Sequence, residues 1–344
     1  MLIRLDYLRG FAAIYVVLAH LIEATGFMSD YFIIEILKQG QIAVILFFIL
    51  SGFVIHYNYH NKKISTWVYF VKRFRRIYPI FLLSLILSAS IASFAGYIHK
   101  ASLSQLFWNL LNMQDLYLMP GNIAKPYFNP PLWSLSYEWF FYLIYIPVIW
   151  LCKKYKSSLY NTSLIIGLFG IVFYSLMPNK IFLNMFYLII WATGGDIAES
   201  YLKNKYYDFK IFLKHITFFG LFTSFFLIFY FLKKDSNELD LRFISRMSMH
   251  YFYSFIIVII AFTWQKLRWR YFDSIFIFFG ICAPFSYALY VFHHPIMIML
   301  FKNHGNKKLD PMEIILSLAF VIIFSWIIEV KLQPKINIFF KRFY

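Results

Sequence analysis

Arg9 and His20 stand eleven residues apart in the first apolar stretch of the chain, "LDYLRGFAAIYVVLAHLIEA". On an α-helix their side chains point about 20° apart and lie roughly 16 Å apart along the axis. Lipid solvates neither group cheaply, so both should face a bundle interior or a watery cavity, with Asp6 one turn before Arg9. The imidazole could act as a general base. The alternatives are a snorkelling, topology-setting cation and an interhelical hydrogen bond.

A basic cluster follows in the stretch "VKRFRRIYP", which we place just before the third apolar run. It holds four cations within five residues: Lys72, Arg73, Arg75 and Arg76. Guanidinium groups bind phosphate through two parallel hydrogen bonds. The cluster therefore predicts a phosphate clamp on the cytoplasmic side, and the alternative is plain anchoring by the positive-inside rule.

A carboxylate, Glu138, lies inside the fourth apolar run, in "PPLWSLSYEWFFYLIY". A charged residue at that depth is a functional-site hypothesis by default, with Ser136 and Trp133 beside it as further candidates. The alternatives are a structural partner for a buried arginine or hydroxyl group, and an interfacial aromatic belt for the tryptophan.

A second histidine, His293, falls in the middle of the ninth apolar run, in "FSYALYVFHHPIM". Its depth is comparable with that of His20, and Tyr287 earlier in the same stretch is a further candidate. Pro295 can interrupt the helix locally and free backbone carbonyls. The alternative is a histidine that only packs between helices.

The elements that must position these residues are membrane-spanning helices. The chain of 344 residues is 61% hydrophobic and only 14% charged, which is far from the composition of a soluble domain. Ten apolar runs are close to the roughly 20 residues that span a bilayer, which predicts an all-α polytopic membrane protein. The runs are 7–26, 41–58, 77–97, 132–151, 161–178, 181–199, 214–232, 247–265, 285–302 and 312–331.

The distribution of Lys and Arg predicts that both termini are cytoplasmic. With the first residues inside, 22 of the 33 cations fall on the cytoplasmic side. The net charge of +17 is then a topology signal, and we expect no nucleic acid as a partner. The two cysteines make neither a disulfide framework nor a metal set, so no metal is expected. We expect the first run to be retained as a helix rather than cleaved as a signal peptide.

Residues 1–344 are predicted to form a single transmembrane domain. The longest outside loop, about 98–131, should hold a short surface helix that starts at a capping residue, Ser102. The apolar segment at about 271–283 is too short to span and should be interfacial or re-entrant. Ser51 and Gly52 in "FFILSGF" are small residues of the kind that allow close helix packing.

Together these stretches resemble the membrane-bound acyltransferase 3 family, ten-span enzymes that acylate bacterial surface polysaccharides. The resemblance covers nearly the whole chain. It depends on R-x10-H in "LDYLRGFAAIYVVLAH", on "FFILSGFVI", on R-x-x-R in "RFRRIYP", on "WSLSYEWFFY" and on "SYALYVFHHP". In the family, a second acidic residue often follows the position of Glu138, whereas this chain has Trp139 there.

The resemblance implies O-acyl transfer, most often of acetyl, from cytoplasmic acyl-CoA to a hydroxyl group on the other side of a bacterial inner membrane. It implies that Arg9 and His20 are essential and that Arg73 and Arg76 hold the CoA phosphates. The hypothesis makes His20 the general base, and Glu138 a group that positions His20 or the acceptor. An acyl-histidine intermediate is the competing chemistry. Expected partners are acyl-CoA, a carbohydrate or lipid-linked sugar, the bilayer, and polysaccharide-assembly proteins or a second copy of the chain.

Two other functions fit the same residues. Intramembrane Arg, His, Asp and Glu also suit a proton-coupled transporter or a flippase for a lipid-linked sugar. No inverted repeat is visible in the sequence, which weakens that reading. The third alternative is a non-catalytic component of a polysaccharide-assembly complex, which would tolerate loss of His20. Neither the acceptor nor the length of the acyl group can be read from the sequence.

Overall fold

The structure of the chain is a computed structural model that describes residues 2–25, 32–62, 65–96, 98–100, 102–114, 126–177, 179–232, 238–301 and 310–340. Within these ranges the ordered elements are helices, and none is a β-strand. In lipid every backbone N–H and C=O must be satisfied inside the protein, which an apolar helix achieves by itself. The predicted all-α fold is therefore confirmed for the described part of the chain.

Ten of the described helices are long and apolar enough to cross a membrane, and each overlaps one of the predicted runs. The chain is thus a multi-pass membrane protein. The helices are α1 Leu2–Thr25, α2 Gly40–Lys62, α3 Thr66–Phe94, α4 Trp133–Lys154, α5 Leu159–Leu176, α6 Lys180–Asn204, α7 Phe209–Leu232, α8 Glu238–Lys266, α9 Ser286–Phe301 and α10 Pro311–Trp326. The tenth continues through a π-helical turn, Ile327–Leu332, into α11, Gln333–Phe340.

The centre of the bundle is α6, of which 83% is buried, whereas α5 and α7 bury less than a third of their length. Helix α6 crosses α2 at two facing glycines. A Cβ atom on Gly52 would lie 1.9 Å from the carbonyl oxygen of Trp191, and one on Gly194 would lie 1.8 Å from that of Ile49. Any larger residue at either position would force the helices apart, so the predicted close packing at Gly52 is confirmed.

The segment after α8 is short, as predicted, and does not span. It forms a helix at Phe272–Phe276 and a 3₁₀ helix at Ile277–Ile281, which pack along α1. The contact is close, because a Cβ on Gly10 would lie 1.8 Å from the Phe279 carbonyl oxygen. The Nε and Nη2 atoms of Arg4 donate to the two carboxylate oxygens of Asp273, at 2.8 and 2.6 Å. This contact lowers the pKa of the Asp273 carboxyl.

The basic cluster lies inside α3 and not before it, which corrects the predicted start of that span. The helix begins eleven residues earlier, at Thr66, where Ser65 accepts a hydrogen bond from the Val68 amide. Lys and Arg are good helix formers whose apolar stems can lie along a bundle. A hydropathy run therefore starts too late when cations fill the first turns of a helix.

A proline in α3 shapes the backbone beside the cluster. Pro79 has no N–H to give to the carbonyl of Arg75, four residues earlier. The side-chain amide of Gln333 in α11 donates to that carbonyl oxygen at 2.8 Å. Helix α11 is thus bonded to the basic cluster at a backbone carbonyl that Pro79 leaves free.

The loop between α3 and α4 contains the predicted helix, at Leu103–Leu110, and Ser102 caps it by accepting from the Gln105 amide at 3.0 Å. Residues 115–125 of the predicted loop lie outside the described residues. Asn109 accepts from the Tyr127 amide at 3.0 Å, and Gln114 donates to the Leu132 carbonyl at 2.9 Å. These two bonds connect the short helix and the residues after it to the segment that leads into α4.

Candidate active site

One cavity of about 840 Å³ opens among the first turns of α1, α3 and α9 and the second half of α2. We call it the basic cavity. Five cations and two carboxylates line it: Arg9, Lys72, Arg73, Arg75, Arg76, Asp6 and Glu138. The structure thus brings the whole predicted cluster together with Arg9, although 62 residues separate Arg9 from the nearest member in the chain. Such a site suits a polyanion larger than a single phosphate.

Arg9 faces this cavity from α1, and the predicted pairing with Asp6 is loose. One guanidinium nitrogen of Arg9 lies 3.6 Å from an Asp6 carboxylate oxygen, and the Asp6 side chain is 55% exposed. An ion pair of that length on an accessible surface contributes little. Most of the charge of Arg9 is therefore directed to the cavity and to whatever anion enters it.

Arg76 is held by a residue that the sequence analysis did not single out. Glu329, from the π-helical turn, forms an ion pair with Arg76 and accepts from the Ala288 amide at 2.6 Å. Arg76 also lies over the ring of Tyr287, 5.6 Å from its centroid, and the Tyr287 hydroxyl donates to the Ile77 carbonyl at 3.0 Å. Tyr287 therefore serves as part of the frame around Arg76.

Glu138 does not lie beside His20, which speaks against the expectation that it positions that ring. Its carboxylate accepts from Ser51 at 3.0 Å and from the Tyr142 hydroxyl, inside the basic cavity. The indole N–H of Trp191 reaches Ser51 at 3.3 Å. The carboxylate is thus anchored through α2 and α6, and a group that enters the cavity meets it as a hydrogen-bond acceptor.

A second cavity, of about 760 Å³, lies at the other ends of the same helices. We call it the histidine cavity. His20 and Glu23 line it from α1, Trp133 from the start of α4, and His294 from α9. Helices α1, α2, α4 and α9 each contribute one stretch to the basic cavity and another to the histidine cavity. Arg9 and His20 share a helix, as predicted, but they serve different cavities.

His20 and His293 lie side by side, with ring centroids 5.0 Å apart. The Nδ1 atom of His20 is 2.9 Å from the Val16 carbonyl oxygen, and that of His293 is 2.6 Å from the Tyr290 carbonyl oxygen. A carbonyl only accepts, so Nδ1 carries the proton in both neutral rings and Nε2 keeps its lone pair. Both rings are therefore oriented as proton acceptors.

Pro295 fixes the backbone next to His293, in the way that the sequence predicts. The proline frees the carbonyl of Val291, and Asn129 donates its side-chain amide to that oxygen at 3.0 Å. His293 is fully buried, and its Nε2 atom has no hydrogen-bond partner among the described residues. A buried, unpartnered acceptor beside His20 is costly, which favours a functional role.

Three hydrogen-bonded residues, Tyr290, Ser134 and Pro131, connect the lining of one cavity with that of the other, and we call them the wall. The Tyr290 hydroxyl lies 2.7 Å from the Ser134 hydroxyl and also donates to the Pro131 carbonyl. Tyr290 and Ser134 line the basic cavity, whereas Pro131 lines the histidine cavity. The wall thus joins α9 to the start of α4, next to His293.

Ser136 lines neither cavity. It is buried, accepts from the ammonium group of Lys180 at 2.7 Å, and donates to the Trp133 carbonyl at 2.7 Å. Its place in the structure is behind the wall, as a support for the first turn of α4. Trp139, the departure from the family pattern, packs its ring against Tyr78 with centroids 5.0 Å apart.

Three polar residues of the site were missed from the sequence. Glu329 is a carboxylate near the end of the last apolar run, and the rule that marks Glu138 also marks this residue. Arg246 and Gln41 line the histidine cavity. Arg246 looks like one more cation near a helix start, and Gln41 carries no charge, so neither gives a signal before the helices are assembled.

Comparisons with known proteins agree with the geometry. A model of the family described as acyltransferase domain, the acyltransferase 3 family, matches residues 2–330. The chain is 32% identical to acyltransferase MdmB of Streptomyces mycarofaciens over 145 residues, which are 40% of this chain and 36% of MdmB. That match spans little more than a third of MdmB. No solved structure gives a significant match.

A second relative matches over a longer stretch. The acetyltransferase candidate ORF330 of Acidianus two-tailed virus is 25% identical over 300 residues, which cover 84% of this chain and 82% of ORF330. The family model and the ten long apolar helices agree on the same class of protein. The chain is therefore a multi-pass membrane acyltransferase and belongs to the acyltransferase 3 family.

Proposed function

We propose that the enzyme transfers an acetyl group from acetyl-CoA, bound in the basic cavity, to a hydroxyl group of a carbohydrate or lipid-linked sugar in the histidine cavity. The observation that carries the proposal is the pairing of the two cavities. One is rich in guanidinium groups, the other is lined by the imidazoles of His20 and His294, and the bonded residues of the wall connect their linings.

The basic cavity suits the donor. CoA has a phosphorylated nucleotide head, and Lys72, Arg73 and Arg75 line the cavity within a single turn of α3. Arg73 lies over the rings of Tyr69 and Tyr142, at 5.8 and 5.7 Å from their centroids, which keeps its fork extended. The arm of CoA, which carries amide N–H groups, would pass Glu138 as an acceptor on its way to the wall.

The histidine cavity suits the chemistry. His20 takes the proton of the acceptor hydroxyl at Nε2 while the oxygen attacks the thioester carbonyl carbon. The C–S bond then breaks, and the departing CoA sulfur receives the proton from His20. The products are an acetyl ester and free CoA thiol. In the competing route Nε2 of His20 attacks first, and the acetyl-imidazole is then transferred to the hydroxyl.

The orientation of the chain belongs to the same proposal. The basic cavity opens at the end that the Lys and Arg distribution assigns to the cytoplasm, where acyl-CoA is found. The histidine cavity then opens at the outer face of a bacterial inner membrane. Membership of an acyltransferase family favours this function over a transporter or flippase.

Labelled acetyl-CoA given to membranes tests the proposal. Membranes with the wild-type enzyme should transfer label to an alkali-sensitive ester on a sugar, identified by mass spectrometry, and His20→Ala membranes should not. Transfer of label by the His20→Ala variant at the wild-type rate would contradict the proposal.

A further inference from the structure

Arg246 is the one described Lys or Arg that lines the histidine cavity, and it comes from α8, a helix that gives no residue to the basic cavity. None of the described carboxylates lies within ion-pair distance of its guanidinium group. Glu23 is the one described carboxylate that lines the same cavity, and its side chain is exposed. The described lining thus holds one positive and one negative group that do not form an ion pair with each other.

The part of α8 that carries Arg246 is held in place by hydrogen bonds. One turn later in α8, the fully buried His250 lies 2.5 Å from the Tyr187 hydroxyl through Nδ1 and 2.5 Å from Gln41 Oε1 through Nε2. The amide oxygen of Gln41 only accepts, so His250 donates from Nε2 and Tyr187 donates to Nδ1. Gln41 is therefore fixed at its oxygen, which leaves its amide N–H groups as donors on the cavity side.

His250 also holds the ring of Trp133 in place. The ring of Trp133 is stacked on that of His250, with an interplanar angle of 5° and centroids 5.7 Å apart. Trp133 also lines the cavity. A flat indole ring beside hydrogen-bond donors offers an apolar face to the C–H groups of a sugar and polar contacts to its hydroxyl groups.

We propose that Trp133, Gln41 and Arg246 form the acceptor site and that Arg246 binds an anionic group of the acceptor, so that the enzyme selects a charged sugar over a neutral one. This inference depends on the proposed function. Trp133 holds the sugar ring, Gln41 donates to a ring substituent, and the guanidinium fork pairs with a carboxylate or phosphate. His20 lies in the same cavity and faces the hydroxyl that is acylated.

A charged acceptor also explains the charge contrast within the molecule. The donor is a polyanion, and five cations line its cavity, whereas Arg246 is the single cation among the described residues that line the acceptor cavity. One fixed charge is enough to orient a sugar that carries one acidic group, and it does not attract the head of CoA as strongly as the basic cavity does.

The test uses the full-length enzyme in the membranes of the cells that encode it, which contain the natural acceptor. Labelled acetyl-CoA is added, the labelled product is isolated, and its charge is measured by anion exchange before and after removal of the acetyl group. The product should bind to the exchanger both times. A labelled product that passes through uncharged would overturn the inference while leaving acetyl transfer intact.

Two variants test the role of Arg246. Arg246→Gln should raise KM for extracted acceptor about 10- to 100-fold, since a charge-assisted bond is lost, with KM for acetyl-CoA unchanged. Arg246→Lys should recover most of the loss, which a purely structural role would not predict. An unchanged acceptor KM in Arg246→Gln would overturn the assignment. No label transfer by a wild-type enzyme that binds acetyl-CoA would instead refute the proposed function.

The chemical source of the charge is read from the same product. Mild acid, which cleaves sugar phosphates of lipid carriers, should release the labelled sugar if the anion is a lipid-linked phosphate. Carbodiimide activation followed by reduction should abolish retention on the exchanger if the anion is a uronic carboxylate. Either result supports an anionic acceptor and names the acid that Arg246 binds.

Discussion

The two cavities share stretches of four helices, α1, α2, α4 and α9, but they differ in the groups that line them. Five cations line the basic cavity, and one of them, Arg76, is paired with Glu329. Among the described residues, the histidine cavity is lined by one arginine, one glutamate and two imidazoles. Under the proposed function, this contrast separates donor binding from chemistry along the bundle, with strong electrostatic attraction at one end and proton transfer at the other.

We interpret the wall residues as a barrier that keeps water from the thioester. A thioester that meets water at an activated base would be hydrolysed, so an acyltransferase gains from excluding water until the acceptor is in place. In the proposed function the Tyr290 and Ser134 hydroxyl groups, which are bonded to each other near His293, lie between the two substrates. The donor carbonyl must come to this point, and the acceptor oxygen must come to it from the other side.

The largest effect should come from the histidine cavity. His20→Ala should lower the rate of acetyl transfer by about 10²–10⁴-fold, since general-base catalysis contributes that much. The dissociation constant for acetyl-CoA should stay within about threefold of wild type, because His20 does not line the basic cavity. Label transfer in membranes measures the rate, and equilibrium binding to purified enzyme measures the affinity.

The matched control for that variant is His60→Ala. His60 is an exposed histidine on α2 that lines neither the basic nor the histidine cavity. Its loss should leave transfer near the wild-type rate. Equal losses in the two variants would mean that removal of a histidine damages the fold, and that the histidine cavity has no special place in the reaction.

The next largest effect should come from the basic cavity, with the opposite signature. Arg73→Ala should weaken acetyl-CoA binding about 10- to 100-fold, because charge-assisted bonds to phosphate are lost. The rate at saturating donor should fall much less. Arg4→Ala is the control, because Arg4 is a cation at the same end that pairs with Asp273 and does not line the cavity. A loss of rate with no loss of donor affinity would remove the clamp.

A smaller effect should come from the wall. Tyr290→Phe keeps the ring and deletes the hydroxyl that bonds to Ser134 and Pro131. A hydrogen bond of this kind is worth about 0.5–1.5 kcal/mol, so acetyl-CoA hydrolysis without acceptor should rise roughly two- to tenfold. Free CoA thiol, measured with and without acceptor, gives the ratio of hydrolysis to transfer. An unchanged ratio would show that the wall does not exclude water.

The smallest effect on activity should come from Glu329. Glu329→Gln keeps an acceptor for the Ala288 amide and removes the negative partner of Arg76. We expect a loss of about 1–3 kcal/mol of stability, seen as a lower unfolding temperature in detergent, and a change in donor affinity below about threefold. A large loss of transfer at unchanged stability would place Glu329 in the chemistry instead of the frame.

Much of this comparison was visible in the sequence. Long apolar runs predict the ten helices, because lipid leaves the backbone few other options. Arg9, His20 and the basic cluster could be singled out because charged and titratable groups are rare within such runs. The sequence also placed Arg9 and His20 on one helix, as the structure has them.

Other features needed the assembled helices. The helical repeat gives a face but not the packing along it, so it could not show that Arg9 and His20 line two different cavities. The sequence left open whether Glu138 positions His20 or the acceptor, and the structure shows its carboxylate bonded to Ser51 and Tyr142 in the basic cavity. A binding role for Arg246 could be inferred only once the helices were assembled, because His250, one turn later in α8, then stacks on Trp133.

A structure of the enzyme with CoA bound tests the central claim most directly. We predict that the phosphates lie within hydrogen-bond distance of Arg73 and Lys72, that the arm passes Glu138, and that the sulfur atom ends at the wall next to His293 and His20. CoA bound in the histidine cavity, or with its phosphates away from the α3 cluster, would contradict the division of the molecule into a donor cavity and a chemical cavity.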